Sequence, residues 1–349
     1  MRDAGHVITV DGPIDPGALG VTLTHEHLFV DLDAYFIPDP DPAIARALEG
    51  PLRMEHLGYL RRSLASSRDD LVLDDEALAA AEAAHFAVRA GGAICDVSPL
   101  GIRVADHGAK LQRVAAATGL HVIAGTGVYV ERFHGDLVAS RSEAELEDRF
   151  VAELDDGLDR SGARAGIIGE IGLGRPVHAD EWKVLRAAAG AHLRTGAPIV
   201  LHQVDFSYAT AHRALDELER LGVRLARVVV GHSSMCADDE PVLEAMRRGA
   251  FIALDTVGIV GNMGPVDFEF PSEAEYLRRI EAIVAAGLAD HLLLSQDVAH
   301  KRSLHAYGGC GYDHLLATTV PALRARGIDE AILRTILADN PARMLTIGR

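Results

Sequence analysis

Six residues that can bind metal ions stand at, or directly after, the ends of short apolar runs of the chain. They are four histidines and two carboxylates: His25, His27, Glu170, His202, His232 and Asp297. Imidazole and carboxylate groups suit zinc and similar transition metals. Taken singly, each residue is more typical of a hydrogen-bonded polar side chain at the end of a strand. The recurrence of the pattern favours a metal site, provided that the fold brings these distant residues together.

The first two histidines belong to the stretch GVTLTHEHLF at residues 20–29. On an extended chain, side chains two positions apart point the same way. We therefore expect His25 and His27 to face a common space, with Glu26 on the opposite side. Two imidazoles placed in this way could bind one metal ion, although short pairs of histidines are also common by chance.

The apolar runs alternate with segments of helical periodicity. The eight runs are VTLTH (21–25), AICDV (93–97), HVIAGT (121–126), AGIIGE (165–170), PIVLH (198–202), RVVVGH (227–232), FIALD (251–255) and HLLLSQD (291–297). This alternation predicts an α/β fold with a parallel sheet, and eight units are what a closed (β/α)8 barrel, or TIM barrel, needs. Catalytic groups in such barrels come from the C-terminal ends of the strands, so closure would bring all six residues to one mouth. An open doubly wound sheet is the competing architecture, but it usually has fewer strands, and no GxGxxG turn follows the first run.

The helix-like segments include 74–90, 142–158, 179–196 and 272–287. Asp74, Ser142 and Ser272 stand where the N-caps of three of these helices are expected, with acidic residues in the turn that follows.

We interpret the chain as a single barrel domain over residues 1–349, because no linker rich in Pro, Gly or Ser divides it. Residues 1–20 form an N-terminal extension. Residues 28–92 form an insertion between the first and second strands, which we expect to make a cap or a pair of helices at the edge of the barrel.

Composition limits the partners that the protein can have. The net charge of −17 would repel a phosphate backbone, so nucleic acid is not an expected partner. The N-terminus carries charges and prolines where a signal peptide needs an apolar stretch, and no run of about 18 apolar residues could span a membrane. Cys95, Cys236 and Cys310 show no CxxC spacing and fit a reducing cytosol. We expect a cytoplasmic protein without a membrane partner.

Several longer stretches together resemble the phosphotriesterase-related branch of the amidohydrolase superfamily. They are LGVTLTHEHLFVD, IIGEIG, the histidine after PIV, VVVGHS, LSQD, YGGCGYDHLL at 307–316 and NPARMLTI near the C-terminus. The resemblance implies that His25, His27 and Asp297 bind one divalent metal ion, and that His202 and His232 bind a second. It also implies an anionic side chain on the fourth strand that bridges the two ions.

The bridging residue distinguishes this chain from many members of the family, which use a carboxylated lysine. None of the three lysines, Lys110, Lys183 and Lys301, lies at the fourth strand. Glu170 is the candidate anion there, as in the subset of the family that uses glutamate directly. The resemblance implies two divalent metal ions, with zinc expected first and manganese, cobalt or iron as alternatives.

The chemistry that the resemblance implies is hydrolysis of a small molecule. A hydroxide bridging the two metal ions attacks the substrate, and Asp297 carries the proton to the leaving group. A homodimer is the usual assembly in the family. Because the same hydroxide attacks several kinds of bond, the resemblance does not choose the substrate.

Three residues bear on the substrate. Relatives that hydrolyse organophosphates have an acidic residue three places after the sixth-strand histidine, where this chain has Met235. Lactonase or phosphotriesterase members carry Arg or His just after the seventh-strand LD, where this chain has Thr256. We therefore favour a carboxylic ester or lactone, with amide (N-acyl) or phosphotriester hydrolysis at the same site as alternatives. Tyr129 could donate a hydrogen bond to the substrate or could be a half-buried aromatic residue at the rim.

Two other functions compete with this interpretation. A TatD-type deoxyribonuclease also shows HxH and a GEIGL-like strand, but that family is shorter, and the acidic balance of this chain counts against it. A barrel that binds metal or ligand without turnover is the third hypothesis, although all six expected ligands are present.

Residues after the eighth strand give three minor expectations. We predict that the glycine-rich stretch 307–314 is a mobile loop that closes over the mouth, and that Gln296 is an amide supporting the metal ligands. Lys301 and Arg302 could meet an anionic group of the substrate, but we expect them to be solvated surface charges.

Overall fold

The computed structural model describes residues 3–262 and 269–348. Its centre is a sheet of eight parallel strands whose order in the sheet follows their order in the chain. The strands are β1 (Val21–Glu26), β2 (Gly91–Asp96), β3 (His121–Thr126), β4 (Ala165–Leu173), β5 (Ile199–Gln203), β6 (Val228–Val230), β7 (Phe251–Leu254) and β8 (Leu292–Leu294). Nearly every strand residue is buried, as parallel sheets covered by helices require. The prediction of a (β/α)8 barrel is confirmed.

In the part of the chain that the structure describes, β1 and β8 share no regular backbone ladder; a backbone hydrogen bond from Asp297 N–H to the His25 carbonyl (3.1 Å) and several side-chain contacts join them. The carboxylate of Glu26 accepts hydrogen bonds from the Ser295 hydroxyl (2.7 Å) and from the backbone N–H groups of Gln296 and Val298 (2.8 Å each). Ser295 Oγ in turn accepts from the backbone N–H of His25 (2.9 Å). Glu26 therefore links the first strand to the end of the last.

Helices follow the strands around the outside of the barrel. The longer ones are α1 (Glu76–Val88), α2 (His107–Thr118), α3 (Glu143–Asp155), α4 (Ala179–Thr195), α5 (Ala209–Arg220), α6 (Asp239–Arg247) and α7 (Glu273–Ala285). After β8 the chain forms short segments: Leu315–Thr319, Val320–Ala325, Glu330–Arg334, Thr335–Asp339 and Asn340–Leu345. Ser142 and Ser272 begin α3 and α7 with capping boxes, as predicted, whereas α1 is capped by Asp75 rather than Asp74. Within the described ranges, none of the helices combines the length and the apolar character needed to cross a bilayer.

The barrel interior has a hydrophobic core of its own. Alternate strand residues such as Ala93 and Cys95 of β2 point to one face and pack together in a small buried cluster. Val7, from the hairpin formed by Val7–Thr9 and Gly12–Ile14, joins this cluster, as does Met344 from the last helix. The hairpin and the last helix therefore take part in the interior core, whereas the polar residues considered below stand at the C-terminal strand ends.

The segment between β1 and β2 lies partly against the mouth. It contains the antiparallel pair Val30–Asp31 and Val72–Leu73, and two short helices, Pro42–Ala47 and Leu57–Leu60, before α1 begins.

Two ion pairs fix this segment to the loop after β8. Lys301 Nζ lies 2.6 Å from Asp69, and Arg302 Nη1 lies 3.0 Å from Asp70. The Asp70 side chain is completely buried and that of Arg302 is 7% exposed. The prediction of a solvated charge is wrong for Arg302, because the insertion supplies an acidic partner that is remote in sequence and buries the pair; Lys301 is also paired, although 18% of its side chain is exposed.

Candidate active site

Glu170, near the end of β4, contacts all four histidines of the predicted site. Its Oε2 is 2.8 Å from Nδ1 of His202, 3.3 Å from Nε2 of His25 and 3.7 Å from Nε2 of His232. Its Oε1 is 3.5 Å from Nε2 of His27. The side chain is only 1% exposed. One buried carboxylate is thus surrounded by imidazoles from β1, β5 and the loop after β6.

Asp297, in the loop after β8, completes the cluster on its open side. Its Oδ1 is 3.2 Å from Nε2 of His27 and 3.9 Å from Nε2 of His25. Its Oδ2 is 4.0 Å from Nδ1 of His232. With 18% of its side chain exposed, Asp297 is more accessible than Glu170. The structure therefore brings together all six residues that the sequence singled out.

Asp255, directly after β7, is a further member of the cluster that the sequence analysis missed. Its carboxylate is fully buried, 3.1 Å from Nδ1 of His25 and 3.2 Å from Nδ1 of His232. It also accepts a hydrogen bond from the backbone N–H of His232. A carboxylate that contacts the Nδ1 atoms of two histidines leaves both Nε2 atoms facing the centre of the cluster. The signal was present, since the seventh apolar run also ends in an acidic residue.

Two other contacts orient the remaining histidines. Nδ1 of His27 lies 2.8 Å from the hydroxyl of Ser98, which donates to the carbonyl of Phe29. Nε2 of His202 lies 3.4 Å from the hydroxyl of Tyr129. Each ring therefore turns one nitrogen towards the centre and the other towards a fixed partner, which is typical of metal-binding histidines.

The electrostatics of the cluster favour an anionic centre. Burial raises the pKa of Glu170, but His202 and His25 lower it more, so that its pKa lies well below the ordinary value. Burial lowers the pKa of His25, whereas Asp255 and Glu170 raise it more, well above the ordinary value. Asp255 likewise raises the pKa of His232 to about 10 against the effect of burial. The two buried carboxylates, Glu170 and Asp255, and the partly exposed Asp297 thus attract positive charge, which either protons or metal ions can supply.

The donor set fits the divalent metal ions that the resemblance implies. Two groups have ligand atoms within 4.8 Å of one another: His25, Glu170 and His232, and His25, His27 and Asp297. Neither ring nitrogen of His25 makes a hydrogen bond within the described residues, although the ring is completely buried. Buried polar atoms normally have a partner, and a lone pair on Nε2 aimed between two carboxylates is suited to a metal ion.

A cavity of about 740 Å³ opens from this cluster, a size suited to a small molecule. Its floor includes His27, Glu170, His202, His232 and Asp297. The insertion contributes an apolar wall made by Leu32, Ile37, Leu64, Ala65 and Leu71. The segment between β1 and β2 therefore shapes the space in which a substrate would lie.

Tyr129, Met235 and Thr256 all line the cavity. Tyr129 is 5% exposed and points its hydroxyl at His202. The Thr256 hydroxyl is hydrogen-bonded to Ser234 (2.7 Å) and to Tyr276. Because Thr256 is already engaged in this way, it offers a substrate little hydrogen-bonding capacity.

The glycine-rich stretch 307–314 lies behind the metal-binding cluster rather than over the mouth. Tyr312 is only 1% exposed, and its hydroxyl donates a hydrogen bond to the backbone carbonyl oxygen of His27 (2.8 Å). The Gln296 amide donates to the carbonyl of Gly311 and accepts from the backbone N–H of Leu315. None of residues 307–314 is among the described residues that line the cavity. The prediction that this stretch closes over the mouth is therefore wrong, and the Gln296 side chain supports this stretch instead of a metal ligand.

Comparison with known proteins extends the similarity over the whole chain. The model of the phosphotriesterase family matches residues 5–345. Human N-acetyltaurine hydrolase is 33% identical over 348 residues, which are 98% of each chain. The crystal structure of a resiniferatoxin-binding protein from Rhodobacter sphaeroides is 36% identical, with a TM-score of 0.94 and coverage of 99% of this chain and 96% of that one. A mutant of a PTE-like lactonase from Deinococcus radiodurans is 28% identical, with a TM-score of 0.76 and coverage of 98% and 100%.

The matches cover the barrel, the insertion and all the strand ends that carry the cluster, so they do not depend on a single motif. On this evidence the chain belongs to the phosphotriesterase family and is a metal-dependent hydrolase.

Proposed function

We propose that the protein hydrolyses the amide bond of a small N-acylated molecule with two divalent metal ions. The observation that carries the proposal is the buried Glu170 carboxylate, which contacts four imidazoles at the floor of a cavity of about 740 Å³. The family match argues against a TatD-type deoxyribonuclease and against a barrel that only binds a ligand.

In this proposal His25, His27 and Asp297 would hold one ion, and His202 and His232 would hold the other. Glu170 would supply the anionic ligand between them, and zinc is the expected metal because the donors are imidazoles and carboxylates. Asp255 and Ser98 keep the rings in position through the contacts described above. When bound, the ions would supply an activated water at neutral pH and would polarise the scissile carbonyl group.

In this proposal Asp297 moves the proton. Burial raises its pKa, but a hydrogen bond from His27 and the charge of His232 lower it more, so that its pKa lies below the ordinary value. It is therefore ionised at neutral pH, and its exposure on the cavity side lets it accept a proton from the attacking water and pass it to the leaving nitrogen.

Tyr129 is placed to bind the substrate. Burial, together with the nearby Tyr35 and Glu170, raises its pKa well above the ordinary value, so the phenol stays neutral. A neutral hydroxyl beside His202 can donate a hydrogen bond to the oxygen on which negative charge develops.

The choice of an amide revises the preference for an ester or lactone that the sequence suggested. Supporting it are full-length relatives named N-acetyltaurine hydrolase, at 33% identity in the human protein. Met235 and Thr256 give no acidic or basic group at the two positions that phosphotriester-hydrolysing relatives use, which argues against that bond. Lactone hydrolysis is the second candidate, favoured by the similarity to the Deinococcus lactonase and by the apolar wall of the cavity.

A substrate panel tests the proposal. Protein reconstituted with zinc is assayed against N-acetyltaurine, N-acetyl amino acids, lactones, aryl esters and a paraoxon-like phosphotriester. We expect the highest kcat/KM for an N-acyl compound, and loss of that activity in Glu170→Gln. Faster turnover of a lactone by wild-type protein would favour the second candidate, and rapid turnover of the phosphotriester alone would refute the argument from Met235 and Thr256.

The single-domain organisation, the homodimer and the cytoplasmic location stay predictions. Light scattering of the purified protein tests the dimer, and a single cooperative unfolding transition of the metal-loaded chain is expected of one domain.

A further inference from the structure

We propose that Arg132 and Arg175 form an anion-binding subsite, which holds a sulfonate or carboxylate at the amine end of the substrate. The inference rests on the proposed amide hydrolysis and names the class of substrate: an N-acylated amino acid or aminosulfonate that keeps a negative charge. An arginine side chain recognises such a group through paired N–H donors.

Both arginines line the cavity that opens from the metal-binding cluster. Both arginines are exposed, and among the described residues neither guanidinium group has a carboxylate within 4.0 Å. The guanidinium carbon of Arg132 lies 5.7 Å from the centroid of the Tyr35 ring. In a chain with 51 acidic and 34 basic residues, most arginines can be expected to find an acidic partner. Two guanidinium groups in one cavity that have no acidic partner within residues 3–262 and 269–348 are available to an external anion.

One buried carboxylate fixes the two loops that carry these arginines. Glu181, 2% exposed, accepts hydrogen bonds from the backbone N–H of Glu131 (2.9 Å), beside Arg132. It also accepts from the backbone N–H groups of Gly174 (2.9 Å) and His178 (2.8 Å), which bracket Arg175. Because the Glu181 carboxylate is used by three backbone donors, it holds the loops together and has little capacity left to neutralise the arginines.

The position of the two arginines relative to the metal-binding cluster predicts how the substrate is oriented in the cavity. Tyr35, which contacts the guanidinium of Arg132, packs edge-on against Tyr129, with ring centroids 6.3 Å apart. Tyr129 in turn reaches His202. The cationic groups therefore stand beside the β3 and β4 loops, while the apolar wall comes from the insertion. An acyl compound with a charged amine portion matches this division of the cavity.

The competing interpretation is that the two arginines are only solvated surface charges, and an equilibrium binding experiment separates the two. Ethanesulfonate, which has no bond to hydrolyse, is titrated by calorimetry into the metal-loaded wild-type protein, Arg132→Met, Arg175→Met and the double variant. We expect Kd to rise about 5- to 10-fold in each single variant and about 10- to 100-fold in the double variant.

Arg160→Met is the matched control, since Arg160 is exposed, lies before β4 at the opposite end of the barrel and is outside the cavity lining. It should leave the Kd of ethanesulfonate unchanged. An unchanged Kd in the double variant, or an equal loss in Arg160→Met, would overturn the proposal.

A kinetic comparison then tests the role in substrate choice. N-acetyltaurine, N-acetyl-β-alanine and the neutral N-acetylethanolamine differ in the charge at the amine end. In the double variant, kcat/KM for the two anions should fall about 10- to 100-fold, mainly through KM, whereas the value for the neutral amide should stay within about threefold. Equal losses for charged and neutral amides would refute a specific anion subsite. Absence of amide turnover in the wild-type protein would refute the proposed function instead, and the binding of ethanesulfonate would still decide the role of the arginines.

Discussion

Replacement of Asp255 by Asn tests whether this buried carboxylate controls the metal-binding cluster. The change keeps the shape of the side chain and an oxygen for the backbone N–H of His232, but it removes the charge opposite Nδ1 of His25 (3.1 Å) and of His232 (3.2 Å). A hydrogen bond to a charged group contributes about 1.5–3 kcal/mol, and one to a neutral group about 0.5–1.5 kcal/mol. The hydrogen bond of His232 would weaken by about 1 kcal/mol. The contact of His25 with Asp255, which is ionic and not a hydrogen bond, would weaken by a similar amount, so the total is about 2 kcal/mol.

At about 1.4 kcal/mol for each factor of ten, that loss corresponds to a roughly 30-fold weaker metal affinity. Substitution of groups that orient metal ligands typically costs about 10- to 100-fold in affinity, which is the same range. The assay is competition between the protein and a chelator of known affinity, with the bound metal measured by mass spectrometry. Activity with the best substrate of the panel should fall together with occupancy and recover partly at higher metal concentration.

Glu153→Gln is the matched control. Glu153 is also a buried carboxylate, in contact with Arg103 (2.8 Å), Thr126 (2.7 Å) and Arg149 (2.8 Å), but it touches none of the six predicted ligands. It should lower the free energy of unfolding without changing metal affinity. The reasoning is refuted if Asp255→Asn binds metal within twofold of the wild-type protein, or if Glu153→Gln loses as much affinity.

Three further predictions concern other parts of the molecule. Arg302→Met leaves the buried Asp70 without its cation and should lower the free energy of unfolding by about 3–5 kcal/mol in urea denaturation. Glu170→Gln should lose at least one equivalent of bound metal and about 100-fold in activity, as measured by metal analysis and steady-state kinetics. Burial lowers the pKa of His314, but hydrogen bonds to Cys310 and Glu273 raise it more, to about 9. The stability that it contributes is therefore complete below pH 6.5 and lost as the pH rises to 9, by about 1–3 kcal/mol, and His314→Gln should remove this dependence.

Each of these predictions has a result that would contradict it. For Arg302, the loss in the double variant with Asp70→Asn should be clearly smaller than the sum of the losses in the two single variants, so additive losses would show that the pair is not coupled. For Glu170, full metal occupancy with unchanged turnover would remove it from the site. For His314, identical slopes of unfolding free energy against pH in variant and wild type would contradict the assignment.

The barrel and six members of the cluster could be predicted from the sequence because each depends on a local pattern. A short apolar run that ends in His, Glu or Asp reports both a buried strand and the residue at its C-terminal end, where barrels carry their chemistry. Asp255 obeys the same rule and was missed only because the FIALD run was interpreted as a strand and not as a source of a site residue. The role of Glu26 was not accessible, since it depends on which strand closes the ring.

Other features could not be predicted because they depend on contacts between distant segments. The glycines of 307–314 suggested mobility, yet a Cβ at Gly309 would lie 2.3 Å from the backbone carbonyl oxygen of Arg302. Glycine is required there for close packing, not for flexibility. Similarly, Arg302 has no acidic neighbour in sequence, and its partner Asp70 comes from the insertion. Sequence periodicity describes one helix or strand at a time and carries no information about contacts between segments that are distant in sequence.

Glu26, which lies between His25 and His27, couples the spacing of these two predicted metal ligands to the closure of the barrel between β1 and β8. A displacement of β8 away from β1 would act through Glu26 on the backbone of the two flanking histidines and would change the spacing of their rings. If His25 and His27 were transferred to another barrel with an arbitrary residue between them, the metal ligands would be present but the hydrogen bonds of Glu26 that set their spacing would be lost. A graft of this centre should carry the glutamate, and the serine that meets it, as part of the minimal set.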